Sequence, residues 1–296
     1  MKVFSLFTGI GGLEVGLKGM AELVGYCEIK KSSIEVFERR INKGKVKNYG
    51  DITKIDFSSL FDFDILTGGF PCQSFSLAGL RKGFFDKKNN KGQMIFYIYE
   101  LLLAKKPKYV VLENVKGLLN HDKGKTFLSV MKLLQGAGYF VRVVLLNALY
   151  YGSAQSRERL FFLCSKDDFE VKRPEIVDGS VRFRDIRDKE GEYRELNYQG
   201  RNREKLEQKR RFNYELIGGY DRVGTLTTQY GCGEKAVWED NFFRYLTPLE
   251  CERLQGFDDD YTKGVSDSAR YWVLGNAVNV NVSKYLFQNY LKGLWW

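Results

Sequence analysis

A single histidine, His121, occurs in 296 residues. The chain is therefore nearly devoid of the side chain that most often shuttles protons near neutral pH or ligates metals. Its five cysteines (Cys27, Cys72, Cys164, Cys232, Cys251) are odd in number and scattered, with no Cys-x-x-Cys pair. A disulfide framework and a zinc site are both unexpected, and the thiols read as reduced, in a cytoplasm. No apolar run approaches the roughly 18 residues that span a bilayer. The chain opens directly on a strand-like stretch, Val3-Phe4-Ser5-Leu6-Phe7, and no signal peptide is expected. Prolines are also few, four in all, and one of them, Pro71, stands immediately before a cysteine.

What is present is enough apolar side chain, 44% of residues, for a full core, and an excess of positive charge, +10 overall. The excess is uneven: residues 1–165 hold 25 Lys and Arg against 14 Asp and Glu, whereas residues 166–245 hold 17 of each. A solubilising lysine-rich surface and a footprint for a polyanion both fit this balance.

Strand and helix signals alternate through the first half. Strands are expected over Val3–Phe7, Leu23–Cys27, Phe63–Thr67, Tyr109–Leu112, Tyr139–Leu146 and Leu160–Cys164. Helices are expected over Leu13–Met20, Ser32–Ile41, Met94–Ala104 and Phe127–Leu134. This alternation predicts a doubly wound α/β domain with a mostly parallel sheet and helices on both faces. Charge dominates residues 166–222, with a basic cluster from Arg201 to Arg211, and glycines punctuate Gly218–Gly233. Helical signals return at Pro248–Gln255 and Val282–Leu291. The expected division is a catalytic and cofactor-binding domain over 1–170, a small irregular domain over 171–244, and a segment over 245–296 that packs back on the first.

Residues with chemical potential gather at the ends of the expected strands. Gly68-Gly69-Phe70-Pro71-Cys72-Gln73-Ser74 puts a cysteine on a tight loop at a strand's carboxyl end, where open α/β sheets place their ligands. Phe7-Thr8-Gly9-Ile10-Gly11-Gly12 is a glycine turn that suits close approach to a nucleotide-like ligand. Glu28 follows the next strand, where an acid suits ribose hydroxyls, and Asp51-Ile52 follows a short polar loop. Together they favour an adenosine-containing cofactor, and the spacing lacks the third glycine of a dinucleotide fingerprint. Glu113-Asn114-Val115 ends another strand, so its carboxylate shares a cleft with Cys72 if the two strands are neighbours. In Gln155-Ser156-Arg157-Glu158-Arg159 two arginines at alternate positions point the same way on an extended chain. They suit a phosphate, a base carbonyl, or a salt bridge at a strand end.

Taken in order, Phe-x-Gly-x-Gly-Gly, Gly-Phe-Pro-Cys-Gln, Glu-Asn-Val, Gln-x-Arg-x-Arg, the Leu-Thr-Pro-x-Glu-Cys-x-Arg-Leu-Gln-Gly-Phe run of residues 246–257 and Gly275-Asn276-Ala277-Val278 resemble the cytosine-5 DNA methyltransferase family, most of all its compact bacterial restriction–modification members. The resemblance covers residues 1–165 and about 244–290. Between them, Thr225-Leu226-Thr227-Thr228 is similar to a recurring element of the family's target-recognition region.

The resemblance implies methyl transfer from S-adenosylmethionine, without a metal, to carbon 5 of a flipped-out cytosine in a short sequence of double-stranded DNA. It implies Cys72 as the thiolate that adds at carbon 6, Glu113 as the group that hydrogen-bonds ring nitrogen 3, and Arg157 and Arg159 as the pair that holds the base carbonyl, the carboxylate and a phosphate. For the cofactor it implies Phe7 stacked on adenine, Gly9, Gly11, Gly12 and Leu13 at the turn, Glu28 on the ribose and Ile29 beside it. Asp51 and Ile52 would border the adenine, with Pro71, Asn276 and Val278 nearby. Ile29 is a departure, since some relatives carry an aromatic residue there. DNA contacts are expected from Ser76, Arg81, Lys82 and Lys91 on a glycine-hinged loop over 76–91, and from Thr225 and Thr227. A monomer in a bacterial cytoplasm is expected, and the resemblance leaves room for a cognate endonuclease acting on the same site. Competing readings are the tRNA-methylating branch, whose Cys-Phe-Thr element is missing from this sequence, a non-catalytic DNA-binding protein on the same scaffold, and a nicotinamide-dependent oxidoreductase.

Overall fold

The computed structural model describes residues 1–71, 94–172, 175–189, 215–218, 221–232, 235–239 and 242–291. Six strands form the main sheet: β1 (Lys2–Leu6), β2 (Glu22–Cys27), β3 (Ile65–Gly69), β4 (Tyr109–Val115), β5 (Phe140–Asn147) and β6 (Glu158–Ser165). Their order is β2-β1-β3-β4-β6-β5. The first four run parallel, while β6 is antiparallel to both β4 and β5.

Strand side chains alternate between two buried clusters, as a pleat covered on both faces requires. Phe4, Leu66, Val110, Leu112, Leu160 and Phe162 belong to one cluster, with Ile98, Leu101 and Leu102 of α3 (Met94–Lys105) and Val130, Leu133 and Leu134 of α4 (Lys125–Gly136). Val3, Ile65, Tyr109, Val111, Phe161 and Leu163 belong to the other, with Leu13 of α1 (Gly12–Gly16) and Val282 and Leu286 of α8 (Val280–Leu286). This is the doubly wound α/β sheet that the alternation of signals predicts. Strand order reverses between β1 and β3, with β2 on one side of β1 and β3 on the other. Crevices at the carboxyl ends of strands open at such a switch point.

Several elements end earlier or begin earlier than the pattern predicts. The helix expected to reach Met20 stops at Gly16, because the chain turns through Gly19 at φ +82. Gly16 also allows α8 to approach, since a Cβ there would lie 2.4 Å from Ser283 Oγ. The helix expected over Ser32–Ile41 is α2 (Lys31–Phe37) followed by one π turn over Glu38–Asn42, which Lys43 ends in the left-handed region. The last helix begins at Val280 rather than Val282 because Asn279 Oδ1 accepts from the Asn281 and Val282 N–H groups.

The 171–244 region is more regular than expected. It contains a short helix, α5 (Phe183–Ile186), and a three-stranded sheet, β7 (Glu215–Ile217), β8 (Lys235–Glu239) and β9 (Phe242–Arg244), ordered β7-β8-β9. Phe183, Ile217, Leu226, Cys232 and Val237 from this region share one buried cluster with Leu254 of α6 (Pro248–Gln255), Tyr271 and Leu274 of α7 (Asp267–Asn276), and Ile10 and Val36 of the first half. A fully buried Arg244–Glu250 ion pair, with Nη2 2.8 Å from Oε1, ties β9 to α6. The basic cluster from Arg201 to Arg211 lies outside the described residues. Among the described residues no helix is long and apolar enough to cross a membrane.

Candidate active site

At the carboxyl ends of β1, β2, β3 and β4 lies a cavity of about 460 Å³. Phe7, Gly9, Glu28, Ile29, Asp51, Ile52, Pro71, Glu113, Arg157, Arg159 and Asn276 all line it, so one hollow gathers most of the described residues singled out from the sequence. A smaller hollow of about 50 Å³ shares Phe7, Gly9, Gly69, Glu113 and Asn276 with it and adds Gly12, Leu13, Glu14 and Val278.

The β1 turn is built by the backbone. Phe7 adopts φ +51 and Gly9 φ +58, in the left-handed region. The Thr8 N–H donates to Cys27 O at 3.2 Å, which joins the ends of β1 and β2. The Gly9 N–H donates to Glu28 Oε2 at 2.8 Å, and Glu28 Oε1 accepts from the Ile29 and Lys30 N–H groups. Three amide donors thus fix the Glu28 carboxylate at the cavity wall. Asp51 caps the single turn Ile52–Lys54, accepting from the Thr53 N–H at 3.0 Å. Gly11 lines neither hollow. A Cβ there would lie 2.2 Å from Ile41 Cδ1 and 3.0 Å from the Phe37 ring, so this glycine lets the turn pack on α2. Gly12 plays the same part toward the 277–279 segment, with Val278 O 2.2 Å from the position of an added Cβ.

Strands β3 and β4 are neighbours, and Gly69 is in register with Glu113. A Cβ on Gly69 would lie 3.1 Å from Glu113 Oε2, so the glycine leaves room for the carboxyl group. Asn114 is buried, and its Nδ2 donates to Phe70 O at 2.9 Å, holding the peptide that leads into Pro71. Cys72 follows Pro71 and lies, with Ser76, Arg81, Lys82 and Lys91, outside the described residues.

The two arginines diverge. Arg159 stands in β6, and its Nε lies 3.0 Å from Glu113 Oε1. Arg157 precedes the strand and is 3% exposed. Its Nη1 donates to Leu226 O, and its Nη2 donates to Gly275 O and Ala277 O, both at 2.9 Å. Both side chains line the cavity, as their alternate positions suggest, but they take different partners: Arg159 the Glu113 carboxyl group and Arg157 three backbone carbonyls. Burial raises the Glu113 pKa, opposed by Arg159 and Arg157. Burial lowers both guanidiniums, with Arg159 adding to the effect on Arg157. Cys27 also lines the cavity, but burial first, then Asp51 and Glu28, pushes its thiol up to about 12.

Thr225 Oγ1 donates to Ser156 O at 2.8 Å, and Thr227 is exposed. Thr227 O would lie 2.2 Å from a Cβ on Gly275, so this segment rests directly on the end of α7. Sequence reasoning passed over Ser33, Met94 and Trp272 as cavity residues. Trp272 stands four residues before Asn276, a spacing that shares one helix face and is the only cue that could have found it.

The family model for C-5 cytosine-specific DNA methylases matches residues 1–232 and 186–292. The chain is 36% identical to the Type II methyltransferase M.NlaX of Neisseria lactamica, over 95% of this chain and 93% of that protein. It is 33% identical to the Type II methyltransferase M.HhaI of Haemophilus parahaemolyticus, over 98% and 94%. Among solved structures, the S. pombe Dnmt2 methyltransferase superposes with a TM-score of 0.77 at 22% identity, covering 99% of both chains. The Entamoeba histolytica methyltransferase EhMeth superposes with 0.78 at 17% identity, covering 99% of this chain and 98% of that one.

Proposed function

This chain belongs to the C-5 cytosine-specific DNA methylase family, and from that premise we propose which of its residues carry methyl transfer to carbon 5 of cytosine in DNA. The reading rests on one arrangement: Glu113 lies in register with Gly69, and Asn114 holds Phe70 O, so the carboxyl group and the segment entering Cys72 share one cavity with Phe7 and Glu28.

Carbon 5 of cytosine is a weak nucleophile. Addition of the Cys72 thiolate to carbon 6 forms an S–C bond and moves an electron pair toward carbon 5. Glu113, whose buried setting raises its pKa against the pull of Arg159 and Arg157, donates to ring nitrogen 3 in its protonated form as negative charge develops. Arg159 orients Glu113 and presents its remaining donors to the base carbonyl. Once carbon 5 is methylated, its proton leaves to solvent and the electron pair expels the Cys72 sulfur. The described cysteines, all buried, are poor substitutes for that nucleophile.

S-adenosylmethionine is the donor that the family implies, and the residues fit its adenosyl part. The Glu28 carboxylate is fixed at the wall, and a Cβ on Gly9 would meet nothing nearer than Phe7 O at 4.0 Å, which leaves the turn open. Phe7 would pack on the base, Glu28 would accept from the ribose, Asp51 and Ile52 would border the base, and Asn276, Leu13 and Val278 would meet the amino-acid tail. When bound, the sulfonium supplies an electrophilic methyl group.

The DNA substrate is read as duplex, with the cytosine extruded at a cost of a few kcal/mol. Ser76, Arg81, Lys82, Lys91, Thr225 and Thr227 are assigned to the DNA, and residues 171–244 to target recognition between the 1–170 and 245–296 parts. A cytoplasmic monomer, serving as the methylating partner of an endonuclease with the same site, accords with its likeness to Type II methyltransferases.

Incubation with tritiated donor and either duplex DNA or tRNA tests this reading: label is expected in DNA, and label in tRNA alone would reject it. A duplex bearing 5-fluorocytosine at the target should trap the wild type covalently and leave Cys72→Ser free.

A further inference from the structure

The cavity is open where the residue after the ribose-binding acid would close it. Ile29 lines the cavity beside Glu28, but it is 73% exposed and offers no aromatic ring. Another element reaches the same wall. Helix α7 buries Tyr271 and Leu274 in the core, whereas Trp272 is only half-buried and lines the cavity with Val273 and with Asn276, one turn further on. The Asn276 Nδ2 donates to Trp272 O at 3.1 Å. Lys30 joins this indole to the acid: its N–H donates to Glu28 Oε1 at 2.7 Å, and its Nζ stands 4.6 Å from the Trp272 ring centroid. Trp272 therefore stands within reach of the segment that carries Glu28. Apart from the buried Phe70, Phe7 and Trp272 are the aromatic rings among the described lining residues.

We propose that Trp272 is a binding residue for the adenine ring of the methyl donor, an indole supplied from α7 that provides the aromatic surface Ile29 does not. This rests on the adenosyl reading of the cavity given above. An indole offers a large, flat, polarizable face to a purine, and stacking of this kind adds to area burial. The Lys30 ammonium over the indole holds the ring in place through its quadrupole.

Titration of the intact protein with S-adenosylhomocysteine, by calorimetry and by intrinsic fluorescence, tests the assignment. Trp272→Ala should weaken binding about tenfold and Trp272→Phe by no more than about threefold, since a smaller aromatic face still stacks. The wild type should show a ligand-induced change in tryptophan emission that Trp272→Phe lacks, although the chain's three other tryptophans remain. Wild-type affinity in Trp272→Ala, or an emission change that survives in Trp272→Phe, would overturn the inference. If Trp272→Ala fails to fold, the emission of Trp272→Phe decides alone. A wild type that does not bind S-adenosylhomocysteine would instead overturn the adenosyl reading itself, and the role of Trp272 with it.

Discussion

Arg159 Nε lies 3.0 Å from Glu113 Oε1, on the diagonal between two antiparallel strands in which Glu113 faces Phe161 and Val115 faces Arg159. The side chains are only 14% and 12% exposed. An ion pair at this depth would ordinarily lower a carboxyl pKa, yet burial outweighs the arginine and the Glu113 value is raised. The pair therefore orients a carboxyl group that retains its proton to higher pH than an exposed glutamate would.

The sign of the resulting pH dependence follows from two groups. The Cys72 thiolate gains population as pH rises, which gives an acidic limb to the single-turnover methylation rate. Glu113 loses its proton above its raised pKa and then ceases to donate to ring nitrogen 3, which gives an alkaline limb. Glu113→Gln keeps a donor at every pH, though a less acidic and weaker one. Its rate should be about a hundredfold lower and its alkaline limb absent. Stopped-time transfer of tritiated methyl groups across the pH range measures both, and an alkaline limb preserved in Glu113→Gln would remove Glu113 as its source.

Asn114 acts on a backbone atom rather than on the base. Removing its Nδ2 leaves Phe70 O without that donor and loosens the peptide two residues before Cys72. A buried carbonyl stripped of its partner costs about 1–3 kcal/mol. Asn114→Ala should lower kcat by roughly ten- to a hundredfold, while S-adenosylhomocysteine affinity, measured by calorimetry, stays within about threefold of wild type. A loss confined to cofactor affinity would contradict this assignment.

How much of this site the sequence discloses depends on where its partners lie. The ends of β1, β3 and β4 are legible because glycines, Pro71 and Glu113 come directly after apolar runs, and local chemistry decides their course. Arg157 is different: its acceptors are 69 to 120 residues away along the chain, and no local pattern reveals that three carbonyls converge on it. Trp272 is hidden for a related reason, since an indole between Tyr271 and Val273 matches a core position as well as a cavity wall. The three-stranded sheet of β7, β8 and β9 escapes notice because its strands are three to five residues long and lie within a charge-rich stretch.

Glu14 offers a test on stability alone. Its buried carboxyl group accepts from Ser5 Oγ at 2.6 Å and Thr67 Oγ1 at 3.0 Å, and burial raises its pKa above 4.5. A carboxyl group whose folded pKa exceeds its unfolded one contributes stability below the unfolded value, and this is lost as pH rises through the folded value. Glu14→Gln keeps the accepting oxygen and has no proton to lose. Its stability should equal wild type near pH 4.5 and exceed it progressively above. The gain is about 1.4 kcal/mol for each unit between the two pKa values. Urea denaturation across this range checks the trend, and parallel curves for the two proteins would refute it.

The guanidinium of Arg157 separates two physical roles that the sequence leaves together. Its Nη atoms donate to Leu226 O, Gly275 O and Ala277 O, so it joins the Thr225–Thr227 segment to the end of α7 inside the protein. Arg157→Ala leaves those carbonyls short of donors and should destabilise the fold by about 2–4 kcal/mol. Arg157→Lys should recover little, because one ammonium cannot match a planar fork that serves three acceptors. The decisive measurement is the salt dependence of DNA affinity. A side chain bonded to protein carbonyls releases no counterion from DNA, so the slope of log affinity against log salt should be the same in Arg157→Lys, Arg157→Ala and the wild type. A side chain on a phosphate predicts a slope about 0.9 smaller in Arg157→Ala. That smaller slope, in a protein whose thermal midpoint is unchanged, would place Arg157 on the DNA backbone and not among the three carbonyls.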